Sequence, residues 1–280
     1  NFKRSRCNNE LQILFVGVFL LVVILIVGRI HFANEFSRQV KSVFAEADLN
    51  SYQTFEISQL EGLPPVVQQY FLHVLKPGQP LIRCARLRHN GQFKPGLKKS
   101  WGDIEGEQYF STIRPAYIWK GDTNLFSARD FYIGGKGGLV VTILNLFNVL
   151  NASGKAFDQG ELLRWLMENI WFPTNLLPGE NMTWTSIQPN KARLSFEHLG
   201  LSLYLDCTFN EAHEIIEMET KRNMDETRME TWIGRPASYK EMNGVRIPTD
   251  VEVLWRLPEG DLSYARFHVL QLEYNIAAQY

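Results

Sequence analysis

Cysteine is scarce in this chain of 280 residues: there are three, Cys7, Cys84 and Cys207. That number excludes a dense disulfide framework. Cys84 and Cys207 lie in strand-like segments, Cys207 on an apolar face, and both read as buried thiols without a disulfide. Cys7 reads as a plain thiol, with reversible acylation as its alternative. The six histidines are scattered, with no paired spacing such as HExxH, and Glu211-Ala212-His213-Glu214 reads as a solvated turn. No metal and no cofactor is therefore expected. There is no Gly-x-Ser-x-Gly elbow, and the glycine cluster 134–138 lacks the spacing and the Ser/Thr of a phosphate loop, so it reads as a hairpin turn. A formal net charge of -1 gives no general pull toward nucleic acid, and none is expected as a partner.

Charge is also missing from residues 11–28 (LQILFVGVFLLVVILIVG), which follow a head containing Lys3, Arg4 and Arg6. As a helix this run is about 27 Å long, close to a hydrocarbon core of about 30 Å. The expected division is a basic tail over 1–10, a transmembrane signal-anchor helix over 11–30, a helical stalk over 31–62 and one β-rich domain over 63–280. A cleaved signal peptide is the competing reading, but the small-x-small triplet Ala45-Glu46-Ala47 lies far beyond the apolar run. Arg29, Arg38 and Lys41 behind the helix nearly balance the cations in front of it. A short tail inside and a large domain outside the cytoplasm is the simplest topology, with the membrane as a partner.

Beyond the anchor, Pro64-Pro65 opens a helix over 66–75, and the period then changes to two. Leu201, Leu203, Leu205, Cys207 and Phe209 alternate with polar residues, as do Ala192, Leu194 and Phe196. Asn243-Gly244 is a tight-turn signal between two further strands. Short strands without regular helical crossovers imply an α+β, mainly β fold: a curved antiparallel sheet with a few packed helices.

One helical segment interrupts the strands, over 158–174. Leu162, Leu163, Leu166, Met167 and Ile170 share one face, Glu161, Arg164 and Glu168 the opposite one, and Trp165 and Trp171 flank the polar stripe. As a site, this is a carboxylate pair with an arginine and an aromatic rim, fit to hold a polar head group or do acid/base work. As plain structure, Asp158 and Glu161 have capping-box spacing, Glu161/Arg164 and Arg164/Glu168 have ion-pair spacing, and Pro173 ends the helix. The stretch 81–99 carries Arg83, Arg86, Arg88, Lys94, Lys98 and Lys99 and no acidic residue. On a tethered domain these cations can face anionic head groups, or simply guard a strand edge.

The blocks 63–71 (LPPVVQQYF), 78–83 (GQPLIR), 160–166 (GELLRWL), 171–174 (WFPT) and 244–249 (GVRIPT) resemble a bacterial family of uncharacterised proteins that often carry an N-terminal membrane helix. That resemblance implies no activity. More distantly, the hairpin 239–249 is similar to hairpins of the periplasmic lipoprotein-carrier half-barrel, which implies an open sheet around helices and an apolar ligand. The leading expectation is thus a membrane-anchored domain binding a lipid, an acyl chain or a lipidated partner. Its rivals are an envelope hydrolase using Glu161, Arg164 and Glu168, and a scaffold without a ligand.

Overall fold

In the computed structural model the backbone is described for every residue except 1, 46, 48, 50, 51, 97, 98, 145, 146, 226 and 227, and side chains from residue 15 onward together with Gln12. Lys98 and the Cys7 side chain therefore lie outside the described residues. Thirteen strands form one sheet: β1 Cys84–Phe93, β2 Gly102–Ser111, β3 Ala116–Asp122, β4 Phe126–Ile133, β5 Lys136–Ile143, β6 Phe147–Ser153, β7 Met182–Gln188, β8 Lys191–His198, β9 Leu201–Phe209, β10 Ile215–Asn223, β11 Met229–Met242, β12 Val245–Leu257 and β13 Gly260–Tyr274. Their order is β6-β5-β4-β3-β2-β1-β13-β12-β11-β10-β9-β8-β7, antiparallel throughout. Two meanders thus meet where β13 pairs with β1, and β6 and β7 remain as open edges.

Turn chemistry fixes several registers. Asn243 and Gly244 take φ of 48° and 81° between β11 and β12, and Gly134 and Gly135 take 60° and 79° between β4 and β5. The helix α2 (Pro65–Val74) starts with proline in its first turn, and its buried Val67, Tyr70, Phe71 and Val74 face the core. Helix α3 (Lys155–Glu168) makes the long connection from β6 to β7. It packs against β4, β5 and β6 on one side and β9 and β10 on the other, so the sheet curls around it. Its Leu162, Leu163, Leu166 and Met167, with Ile170 just beyond, are all buried.

Glycine sets the depth of α3. A Cβ on Gly137 of β5 would sit 2.7 Å from the carbonyl carbon of Phe157 and 3.0 Å from Cβ of Glu161. One on Gly234 of β11 would sit 2.7 Å from Sδ of Met167. Both strands therefore let the helix approach their backbone.

The outer face is covered differently. Helix α1 (Phe2–Phe44) is unbroken, and residues 15–44 are long and apolar enough to cross a membrane, with a mean hydropathy of 2.5 in the most apolar window. Its last turns, expected as a stalk, pack on the convex face: Phe36, Val40, Val43 and Phe44 cluster with Cys84, Tyr109, Ala116 and Ile118. Cys84 lies on this outer side and Cys207 in the inner core, both without a disulfide, so the sheet separates them.

Candidate functional site

Seen from its inner face, the sheet has two unequal halves. Toward α2 the space is filled by α3 and short 3-10 turns. Toward the other ends of the strands, Phe93, Val253, Leu262, Tyr264 and Phe267 pack on the core yet stay partly exposed. The polar face of α3 lies between these halves.

There the structure brings Glu161, Arg164 and Glu168 together with residues from five strands. Glu161, its side chain only 4% exposed, accepts from the Tyr117 hydroxyl and from Arg222 Nη2 at 3.1 Å. Arg164 donates through Nε to Glu168 at 2.9 Å and through Nη1 to Asp130 at 2.5 Å. Glu168 also accepts from Gln108 Nε2 at 2.6 Å. The Arg164 guanidinium lies 5.3 Å from the Tyr117 ring centre and 4.9 Å from that of Trp119, and Arg222 lies 4.4 Å over Trp232. Gly160 makes the room for Arg222, since a Cβ there would stand 3.1 Å from Nε.

Three carboxylates thus face two guanidiniums in a desolvated setting. Burial, reinforced by the nearby Glu161 charge, pushes the Asp130 carboxyl up to about 7 against the pull of Arg164 and Arg222. Among the described residues Asp130 Oδ1 has no hydrogen-bond partner. Burial likewise raises Glu168, opposed by Arg164 and Gln108. For Arg164 burial works against the charge, but Glu168, Tyr117, Asp130 and Glu161 outweigh it and hold the guanidinium protonated. Burial thus biases Asp130 and Glu168 toward their protonated forms beside a charged Arg164.

A second polar pair adjoins it. Trp119 Nε1 donates to His89 Nε2 at 2.7 Å, so that nitrogen carries no proton, and burial lowers this histidine to about 4. The two rings lie parallel, over Gly106 and Gly121, which leave them space.

The other sequence candidates sit elsewhere. Trp165 is buried and donates to Ser111 O at 3.0 Å, and Trp171 donates to Pro248 O at 3.2 Å. Tyr117, Trp119 and Trp232 are the aromatic groups around the charges. Asp158 does not cap α3, which begins three residues earlier; it accepts instead from the Gly137 backbone N–H and from Lys136, tying the helix to the β4–β5 turn. Among the basic residues, Arg86 binds Glu273 at 2.9 Å, and both Arg86 and Arg88 stack on Tyr280 on the outer face. Arg83 reaches Gln53. Lys94 and Lys99 lie apart from them, at the β1–β2 turn, where Lys94 and Arg266 flank the Trp101 ring.

Asp130, Arg222, Tyr117 and Gln108 escaped the sequence reading. The period of two did hold one signal: Asp130 falls on the same face of β4 as Ala128 and Tyr132, which marks an inward carboxylate.

An open antiparallel half-barrel, plugged by a helix and carrying a charged cluster beside partly exposed apolar side chains, defines the class of this domain. The chain belongs to a family of unknown function, DUF6544, whose model matches residues 53–267. No curated protein matches it. Among solved structures it is similar to a domain named as an outer membrane lipoprotein-sorting protein from Vibrio parahaemolyticus, at 8% identity and a TM-score of 0.42, covering 78% of this chain and 94% of that one. It is also similar to a LolA superfamily protein from Nitrosomonas europaea, at 9% identity and a TM-score of 0.40, covering 75% and 91%.

Proposed function

We propose that this is a membrane-anchored binding protein, its domain outside the cytoplasm, that takes a lipid, an acyl chain or a lipidated partner in the open half of its concave sheet. The observation that carries this reading is the run of inward-facing but partly exposed side chains, Phe93, Val253, Leu262, Tyr264 and Phe267. Apolar area left wet inside a groove costs roughly 25 cal/mol per Å², and an acyl chain laid along it removes that cost. The adjoining Arg164, Arg222 and Asp130 supply polar contacts for a head group.

The test is photo-crosslinking of the full chain in vesicles doped with a phospholipid bearing a photoactivatable acyl chain. Crosslinks on β1 and β13 peptides, reduced by Phe267→Glu, are the expected result. Label confined to residues 15–32 of α1 would overturn it.

A hydrolase is the second reading, favoured by one observation: Asp130, raised to about 7 with an unpartnered oxygen beside Arg164, has the properties of a general acid or base. It requires that Asp130→Asn abolish turnover of an ester or amide panel while the fold persists.

A further inference from the structure

The anchor helix and the sheet are one body, and their relative direction is fixed by contacts along the helix. Phe44 and Phe36 both touch the Tyr109 ring, with centres 5.9 and 6.0 Å away. Phe36 also meets Lys120, while Glu35 and Gln39 bind Arg129 at 3.2 and 3.0 Å and Phe32 lies under the same guanidinium. Tyr109 pairs with Ile118, and Lys120 with Arg129. Passing back from Phe44 to Phe32 therefore leads along β3 toward Asp122 and the β3–β4 turn.

The levels can be matched. From Phe36 back to Arg29, the first charge behind the apolar run, is about 10 Å of helix. From Lys120 on to Thr123 is also about 10 Å of strand. The β3–β4 turn thus stands at the height where the apolar run ends.

That same rim exposes hydrophobic side chains. Leu125 is 60% exposed and Phe126 41%, in and after the β3–β4 turn, and Leu144 46% and Phe147 64%, flanking the β5–β6 turn. Ile143 pairs with both Phe126 and Phe147, so the four form one corner. Trp101, with Lys94, lies by the β1–β2 turn on the same side. Exposed aliphatic and aromatic side chains with nearby cations suit a bilayer interface. The opposite ends of the strands are more mixed: Asn210, Glu211 and Asn243 lie in their turns, and the hydrophobic side chains there, Ile113, Ile187 and Ile216, are 38%, 43% and 42% exposed and spread over three separate turns.

We infer that this rim, with Leu125, Phe126, Leu144 and Phe147 at its centre, rests on the lipid surface in which α1 is embedded. The inference rests on the membrane-anchored reading above and deepens it. Phe93, Leu262 and Tyr264 mark the groove's end at this rim, so the groove opens onto the bilayer. An acyl chain can then pass from a leaflet onto the inner face of the sheet without crossing water. The direction holds whichever side of the membrane the domain occupies.

The experiment uses the full chain with Cys7→Ser and one added cysteine, Leu125→Cys, Glu211→Cys or Ile24→Cys, each labelled with a fluorophore; Cys84 and Cys207 are buried. All three added positions are exposed, so folding is expected to be retained. In vesicles of phosphatidylcholine and phosphatidylglycerol with a head-group nitroxide lipid, the Leu125 probe is expected to be quenched several-fold more than the Glu211 probe. Equal quenching of these two, with the Ile24 probe accessible to lipid, would overturn the rim contact and leave the anchor standing. If the Ile24 probe is not reached by a nitroxide placed on the acyl chains either, the anchor reading fails and this inference with it.

Discussion

Replacing Gly137 with alanine tests whether α3 is seated on the sheet as described. The added methyl would lie 2.7 Å from the Phe157 carbonyl carbon and 3.0 Å from Glu161 Cβ. Carbon atoms pack at about 3.5–4.0 Å, so the first turn of α3 must retreat by roughly 1 Å. Backbone cannot swing aside as a side chain can. Overpacking of this kind costs about 1–3 kcal/mol, and the retreat also stretches Glu161 from Tyr117 and Arg222, where a buried charge is held. The expected loss is therefore about 3 kcal/mol, toward the upper end of ordinary point mutations. Gly102→Ala is the control, because the nearest atom to its new Cβ is 3.8 Å away and its φ is ordinary. It is expected to fall within about 0.5 kcal/mol of the parent. Urea unfolding of the full chain in mild detergent, followed by tryptophan fluorescence, reads both. Equal midpoints for the two variants would refute the close approach of α3 to β5.

Asp130 is held at about 7 in the fold against an ordinary 3.8, so its contribution is complete below pH 3.8 and is lost as pH rises toward 7; the pH dependence of unfolding in Asp130→Asn should lack this component. His89 has the opposite sign: lowered to about 4 from 6.5, it stabilises above 6.5 and its contribution is lost as pH falls toward 4, a slope that calorimetric scans should find missing in His89→Gln. Phe36→Ala empties a buried position between α1 and the convex face and should cost about 3 kcal/mol at that contact. Hydrogen exchange over residues 32–44 should then rise sharply, and unchanged protection there would show that α1 is held by something other than this seat.

The parts of the fold legible from sequence were those whose signals are local. Alternation over 201–209 and 192–196 matched β9 and β8, Asn243-Gly244 gave the β11–β12 turn, and Pro65 opened α2. The sequence pattern starts α3 at Asp158, which has the look of a cap, whereas the helix begins at Lys155 and the Asp158 oxygens serve a turn 21 residues away. The docked end of α1 had a readable signal: Phe36, Val40, Val43 and Phe44 are spaced i, i+4, i+7, i+8. The polar residues between them, such as Arg38 and Lys41, made a solvated stalk the simpler reading. For the site, spacing within one helix found Glu161, Arg164 and Glu168. Their partners Asp130 and Arg222 depend on how two meanders close around α3, and no local pattern records that.

The cluster itself poses a physical question. Burying an ion pair rarely stabilises a fold over well-packed apolar residues of similar volume, yet removing one member of a pair costs about 3–5 kcal/mol. Applied to Glu161 and Arg222, joined at 3.1 Å, this separates two roles. Arg222→Met leaves Glu161 with the Tyr117 hydroxyl as its hydrogen-bond partner among the described residues and should lose about 3 kcal/mol. The double variant Glu161→Met with Arg222→Met removes both charges and should recover most of that loss, giving a coupling of about 2 kcal/mol in urea unfolding. If that double variant folds as well as the parent and still crosslinks to the acyl probe, the pair serves only to place α3. If it folds but no longer takes the probe, the charges are part of what the groove recognises. A single-variant loss with no recovery in the double variant would contradict the pairing itself.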